Sequence, residues 1–375
     1  MERQLAENVA TLLTDRGVDG TVERREGCQL IRTGDPDAAA DAAADAPGVV
    51  STSPSVSVDP ERGAIEDTHA RVASAEYRAT ATESEATGTF AVRARRSTDE
   101  LPFTSDDIEE FGGSAVWTAL EDRGGDPAVD LENPDRVYHV EARREEAFVF
   151  TEKCEGVGGL PLGSQETLVA LVSGGIDSPV AAFEAMKRGP PVVPVYLDSG
   201  DYGGPDHRAR TMETVRRLSE YAPNFHTRVR VVPAGETVDL LAEPMERGRM
   251  LTIRRYIFRV AEQVAERTDA AGIVTGEAIG QKSSRTARNL RVTSAAMDLP
   301  IYRPLLSMDK TEISERARAI GTFDDSTIPV GCNRFAPDHP KTNDRLDRLR
   351  EVEPDDLLER AAEDAAAVEV FDPAE

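Results

Sequence analysis

The sequence predicts an α/β fold built on a parallel sheet, preceded by smaller α+β units. Three observations carry that expectation. An apolar run of strand character, Leu168–Val172, stops at Ser173-Gly174-Gly175-Ile176-Asp177-Ser178, and Pro179–Lys187 then has a helical pattern. Further strand-like runs, Pro191–Leu197, Val229–Val232 and Gly272–Thr275, alternate with helical stretches. The chain of 375 residues is long enough for about two or three domains with a real core. The first of these is the organising unit. Its paired glycines let the backbone turn tightly and bring N–H groups close to an anion. Ser178 is expected to cap the following helix, with Pro179 at its first position. The helix N-terminus adds partial positive charge. The expectation is a phosphate cradle at the carboxyl end of a parallel strand, where open α/β sheets bind ligands.

Charge and cysteine content narrow the function classes. There are 69 Asp and Glu against 44 Lys and Arg, a formal net charge of −25. Scarce lysine and acidic loops suggest adaptation to high salt. Such acidity normally opposes a nucleic-acid partner, whose phosphates need cations. At molar salt the overall charge is screened within roughly 3 Å, so local basic clusters decide. Cys28, Cys154 and Cys332 are far apart, with no CxxC pair. A disulfide framework or a zinc site is therefore not expected. Neither a signal peptide nor an apolar run of membrane length is visible, so the expected location is the cytoplasm.

Along the chain, Met1–Arg16 reads as an amphipathic helix through Leu5, Val9, Leu12 and Leu13. Strands are expected near Thr21–Arg25, Gln29–Arg32 and Val49–Val58. Gly34–Ala46 is acidic and alanine-rich, expected as a solvated loop or frayed helix. Residues 1–63 form one small α+β unit in this reading. Thr87–Arg96 alternates as a strand, Ser105–Arg123 is helical, and Val137–Ala142 pairs with Ala147–Thr151. Gly156–Gly163, GVGGLPLG, is a glycine-rich connector.

Beyond the glycine loop, helices are expected over Asp206–Tyr221, Thr237–Glu246, Gly248–Arg267 and Lys310–Ile320, the last with Asp309 as N-cap. Gly276 follows a strand directly, which permits close backbone approach to a ligand. Two segments, Arg247–Arg259 and Gln281–Arg291, contain no carboxylate. Lys282, Arg285, Arg288 and Arg291 recur every three residues, close to one helical stripe. Such islands in an acidic chain suit phosphate contacts; the plainer alternative is pairing with acidic neighbours. Lys310 is either a phosphate-facing group or a helix-surface lysine. Asn343–Glu375 reads as an acidic helix and tail.

Several motifs carry a family resemblance. The loop lacks the GK[ST] ending of a Walker A motif and is not G-x-G-x-x-G. SGGIDS resembles the PP-loop of ATP pyrophosphatases, which split ATP into AMP and pyrophosphate. The helix at Ser105, the VDLENPD turn and the VYHVEAR strand resemble a THUMP domain, a tRNA-binding module. GVGGLPLG before the loop and TGEAIGQ (Thr275–Gln281) after it are similar to segments of tRNA 4-thiouridine synthetases, as is Cys332 in TIPVGCN.

That resemblance implies a ferredoxin-like N-terminal domain over residues 1–63, a THUMP domain over 64–154 and a linker over 155–166. It implies a PP-loop, adenine nucleotide alpha hydrolase-like domain over 167–342 and a C-terminal helix and tail over 343–375. The implied activity is ATP- and Mg²⁺-dependent thiolation of uridine 8 of tRNA. Leu171, Val172, Ser173, Gly174, Gly175, Asp177, Ser178, Tyr196, Leu197, Arg254, Gly276 and Arg285 would contact ATP, although position 285 is more usually glutamine. Asp177 would bear on Mg²⁺, and Cys332 would carry, receive or resolve sulfur. Arg93, Arg95, Arg143, Lys282, Arg288 and Arg291 would contact tRNA. No rhodanese-like stretch is read, so the sulfur donor is expected to be a persulfide partner such as a cysteine desulfurase, or sulfide. A sulfur-carrier protein is a further expected partner, and a homodimer is among the expected assemblies. An amidotransferase or ligase of the NAD-synthetase type, and a non-catalytic tRNA-binding protein, remain the alternatives.

Overall fold

The computed structural model describes residues 1–25, 27–80, 88–203, 205–225, 227–242, 248–281, 285–326 and 343–373. At the N-terminus, helix α1 (Glu2–Asp15), the antiparallel hairpin β1 (Gly20–Arg25) and β2 (Cys28–Thr33), and helix α2 (Pro36–Ala44) surround one small core. The alanine-rich stretch expected to be solvated is α2, with Ala39, Ala40, Ala42 and Ala43 buried. Small side chains let it lie close against Val9, Leu12 and Leu13. Asp35 caps α2 by accepting the Ala38 N–H at 3.2 Å.

Strand β3 (Ser51–Thr52) is followed by β4 (Val56–Val58), helix α3 (Arg62–Thr80), β5 (Thr89–Arg96), helix α4 (Ser105–Glu121), β6 (Ala128–Val129), β7 (Arg136–Ala142), β8 (Ala147–Phe150) and β9 (Cys154–Glu155). Five of these strands make a sheet in the order β4-β8-β7-β5-β6. Ile65 of α3 and Ile108 and Phe111 of α4 pack on Val140 and Val149 of the sheet. Thr104 and Asp107 close α4 reciprocally, at 3.1 and 2.7 Å. Val56–Val58 does not stay with the first unit, as the sequence suggested. It pairs with β8, Val56 opposite Val149, and so supplies a partner for an edge strand. β3 pairs with β9, so the segments entering and leaving this unit run side by side. Glu146 ties the units: it accepts from Arg32 of the hairpin at 2.6 Å and from Ser57 of β4 at 2.8 Å.

The remainder comprises β10 (Leu168–Leu171), α5 (Asp177–Met186), β11 (Val192–Asp198), α6 (Pro205–Ser219), β12 (Val229–Pro233), α7 (Gly235–Ala242), α8 (Arg249–Arg267) and β13 (Ile273–Val274). It continues with α9 (Ala287–Ser294), β14 (Ile301–Tyr302), α10 (Lys310–Ala319), α11 (Phe323–Ser326), α12 (Leu346–Arg350), α13 (Leu357–Ala366) and β15 (Glu369–Phe371). The sheet order is β14-β13-β10-β11-β12-β15. The first five strands are parallel and β15 is antiparallel to β12. Val169, Val195 and Val232 face Tyr256, Val260 and Val264 of α8; Ala170, Tyr196 and Val231 face α5, α6 and α10. Helices on both faces explain the continuously apolar strands.

Two segments are tightly packed. A Cβ on Gly159 of the glycine-rich connector would stand 1.9 Å from the Lys187 carbonyl, and the Leu160 N–H donates to that oxygen at 2.8 Å. The C-terminal stretch carries the expected helix, and α13 lies on α8 while β15 closes one sheet edge. Asp364 of α13 accepts from Thr237 of α7 at 2.6 Å and from the fully buried Tyr256 of α8 at 2.5 Å. Replacing Asp364 by Ala strands two hydroxyls. We expect a loss of about 2–3 kcal/mol, with Asp364→Asn milder, in thermal and denaturant unfolding at molar KCl. Equal stability of Asp364→Ala and wild type would contradict this account.

Candidate active site

Strands β11 and β12 lie to one side of β10, and β13 and β14 to the other. The chain therefore reverses its winding direction between β10 and β13, and a crevice opens at their carboxyl ends. Two loops meet there: Ser173–Ile176 after β10, and Thr275–Gln281 after β13. Their contact is very close. A Cβ on Gly276 would lie 2.7 Å from the Asp177 carbonyl carbon and 2.9 Å from the Ser178 nitrogen. The glycine after the strand is thus required by the neighbouring helix start, before any ligand is considered.

The loop itself is stitched by Ser178. Helix α5 begins at Asp177 with Ile176 at its N-cap position, so Ser178 is not the cap that the sequence suggested. Its hydroxyl instead accepts the Ser173 N–H at 2.9 Å and donates to the Ser173 carbonyl at 3.1 Å. This closes the turn across five residues and leaves the helix N-terminus facing the crevice. Leu171 and Val172 lead into the turn, with the Val172 N–H bonded to the Val195 carbonyl at 2.9 Å. Gly174 is buried, and a Cβ on Gly175 would meet only Ser173 Oγ, at 3.6 Å.

Charged groups converge on Asp177. Lys310 Nζ stands 2.6 Å from Asp177 Oδ1, and Arg285 Nη1 stands 3.5 Å from Oδ2. Gln281 Oε1 accepts from Arg285 at 3.2 Å. Lys310 opens α10 after Asp309, which occupies the N-cap position without a side-chain cap bond. Behind this pair, buried Glu277 accepts from Arg303 Nε at 3.0 Å, and Arg303 also bonds Ser294 at 2.8 Å. Burial pushes the Arg254 pKa down from its ordinary value, and the Glu277 carboxylate opposes that shift. Arginine remains charged regardless. The crevice therefore presents backbone N–H groups, a helix N-terminus and a surplus of cations to an anionic ligand. Asp177 supplies one hard carboxylate at its rim, the donor type that Mg²⁺ takes beside phosphate oxygens.

The other sequence-singled residues separate. Tyr196 is buried, 1% exposed, with its hydroxyl 3.1 Å from His207 Nδ1, so its ring is part of the core on the α5 side. Leu197 is half-buried on the opposite face. Arg288 and Arg291 are exposed on α9, but Arg285 precedes that helix, so the three do not form one helical stripe. Thr286 caps α9 and breaks the periodicity that spacing alone implied. Arg95 is exposed on β5; Arg93 bonds the Leu131 carbonyl and Arg143 bonds Glu141 at 2.8 Å. Lys282 and Cys332 lie outside the described residues. Glu277 and His207 were not singled out by sequence. Glu277 sits inside a noticed motif, whereas His207 offered no spacing or pattern.

Comparisons with known proteins agree with this architecture. Residues 163–357 match the family described as Thiamine biosynthesis protein (ThiI), and residues 65–152 match the THUMP domain. The chain is 54% identical to a probable tRNA sulfurtransferase of Halobacterium salinarum, over 99% of this chain and 93% of that protein. It is 39% identical to one from Methanosarcina acetivorans, over 93% and 83% respectively. Among solved structures, a 4-thiouridine synthetase in complex with RNA and bound ATP superposes with a TM-score of 0.84 at 29% identity, covering 99% of this chain and 94% of that one. A Pyrococcus horikoshii protein shares the fold at 23% identity and a TM-score of 0.65.

The Gly276 contact yields a stability prediction. Gly276→Ala pushes a methyl into backbone and is expected to destabilise by about 1–3 kcal/mol. Gly175→Ala, whose Cβ would meet nothing nearer than Ser173 Oγ at 3.6 Å, should stay near wild type. Paired thermal melts check this, and equal melting temperatures for the two variants would refute it.

Proposed function

The chain belongs to the tRNA sulfurtransferase (ThiI) family, and on that premise we propose that it thiolates uridine 8 of tRNA at the expense of ATP, giving 4-thiouridine. The observation that carries this reading is the junction of the Ser173–Ser178 loop with Gly276 at the sheet's switch point, ringed by Arg254, Arg285 and Lys310. A phosphate cradle of that kind suits a nucleotide whose α-phosphorus is to be attacked.

In this reading the uracil O4 attacks the α-phosphorus, N3 gives up its proton, and pyrophosphate departs. A sulfur nucleophile then attacks C4, the C4–O bond breaks and AMP leaves. Adenylation is needed because a uracil oxygen is a poor leaving group. The loop N–H groups and the α5 N-terminus hold the pyrophosphate portion, and Arg285 and Lys310 offset its charge, so catalysis rests on positioning and electrostatics. Leu171, Val172, Leu197 and the Tyr196 backbone border the adenosine. Asp177 would hold Mg²⁺ beside the phosphates, where it supplies charge neutralisation. Lys310 and Arg285 must then turn from Asp177 toward the phosphates.

We assign tRNA contact to the THUMP domain, with Arg95 as an exposed cation there, and to Arg288 and Arg291 beside the crevice. Cys332 is proposed to carry the sulfur as a persulfide taken by exchange from a persulfide partner, with an external thiol cleaving its S–S bond as the sulfur passes to C4; where sulfide is itself the nucleophile, no carrier thiol is needed. We propose as a second outlet for the same sulfur chemistry a carrier protein serving the thiazole of thiamine; the matched family is described as a thiamine biosynthesis protein.

Deleting the gene and measuring tRNA nucleosides by mass spectrometry tests the reading. 4-Thiouridine should vanish and return with the wild-type gene. Asp177→Ala should give no rescue, and Cys332→Ala reduced or none. Undiminished 4-thiouridine in the deletion strain would sink the assignment; full rescue by Cys332→Ala would remove that thiol from the mechanism.

A further inference from the structure

His207 stands in the first turn of α6, behind the glycine loop, and is 8% exposed. Its ring lies 5.5 Å from that of Tyr196, with Nδ1 3.1 Å from the Tyr196 hydroxyl. The Cδ2 atom of the ring is turned to the loop: a Cβ on Gly174 would stand 3.4 Å from His207 Cδ2, the carbon bonded to Nε2. Nε2 itself is buried and has no hydrogen-bond partner among the described residues. Burial, helped by Arg210 and opposed by Asp198, lowers the His207 pKa, so the ring is neutral at physiological pH.

A neutral imidazole carries one hydrogen, and its place is set by the partner of the other nitrogen. The bond between Nδ1 and the Tyr196 hydroxyl admits either direction, and the one in which the hydroxyl donates to Nδ1 leaves the hydrogen on Nε2. A buried N–H without an acceptor is rare in a finished structure. Here the donor adjoins a loop built to receive an anion.

We propose that the Tyr196 hydroxyl donates to His207 Nδ1 and that His207 donates its Nε2–H to an oxygen of the pyrophosphate portion of the nucleotide held by the Ser173–Ser178 loop. The inference rests on the ATP-splitting reading above and adds a phosphate contact from α6. The contact is a hydrogen bond alone, with no proton transferred. A neutral donor suits a leaving group that must afterwards be released, because it aligns the pyrophosphate without adding another fixed positive charge to a crevice already rich in cations.

Isothermal titration of the full chain with ATP, pyrophosphate and AMP separately, at molar KCl, tests it. His207→Ala should weaken pyrophosphate and ATP about ten-fold, the loss of one charge-assisted hydrogen bond, while AMP stays within about two-fold. His207→Gln, which restores an N–H donor of similar reach, should recover most of the affinity. Unchanged pyrophosphate affinity in His207→Ala would overturn the proposal. So would equal weakening of AMP and pyrophosphate, the signature of a packing role. Wild-type protein that binds neither ATP nor pyrophosphate would instead overturn the nucleotide reading itself.

Discussion

The approach of the Gly276 backbone to the backbone of Asp177 and Ser178 sets the geometry of everything around it. No side chain fits between the two loops, so the carboxyl ends of β10 and β13 are locked at one separation. That separation places the N-terminus of α5 opposite the TGEAIGQ segment. It brings Arg285, which follows that segment, within ion-pair reach of Asp177. It also fixes where Glu277 stands, and through Glu277 the guanidinium of Arg303. A single missing methyl therefore organises a crevice whose chemistry is otherwise made by long, mobile side chains.

The charge arrangement follows the same economy. In a chain of net charge −25, Arg254, Arg285, Arg303 and Lys310 stand together around the loop junction. Asp177 is bracketed by Lys310 and Arg285, and Glu277 has Arg303 on one oxygen and favours the charge of Arg254. Each cation is thus held by a carboxylate until a stronger anion competes for it. In molar salt, where exposed pairs are screened, the buried Arg303–Glu277 pair keeps its strength. The Arg32–Glu146 pair stands at the join of the first two units.

Much of this was legible in the residues. The strand, glycine turn and helix at Leu168–Lys187 show a switch from apolar run to helical period within a few positions, and the structure has that order. The elements that sequence missed have physical reasons. Strand β15 is three residues long, too short for any period to register, and it forms only because β12 offers an open edge. Val56–Val58 looks like part of the preceding unit, yet β8 recruits it by pairing. Ser178 carries the residue type of a helix cap, but the helix starts two residues earlier than a Ser178 cap implies and the hydroxyl turns back to Ser173. The basic stripe from 282 to 291 was drawn on a helix that begins only at Ala287. His207 has no sequence signal, because its importance lies in what surrounds it.

The late position of α13 and β15 has a consequence for how the chain emerges from the ribosome. Thr237 and Tyr256 are synthesised well before Asp364, the residue whose carboxylate both hydroxyls bond. Until α13 follows, the face of α8 turned to it is open to water and β12 is an uncovered sheet edge. The helix that carries Arg254 is therefore clamped only at the end of translation. A nascent chain can form its phosphate loop early, but it gains its complete crevice last, so a truncated product is unfinished at its site rather than merely shortened at its end.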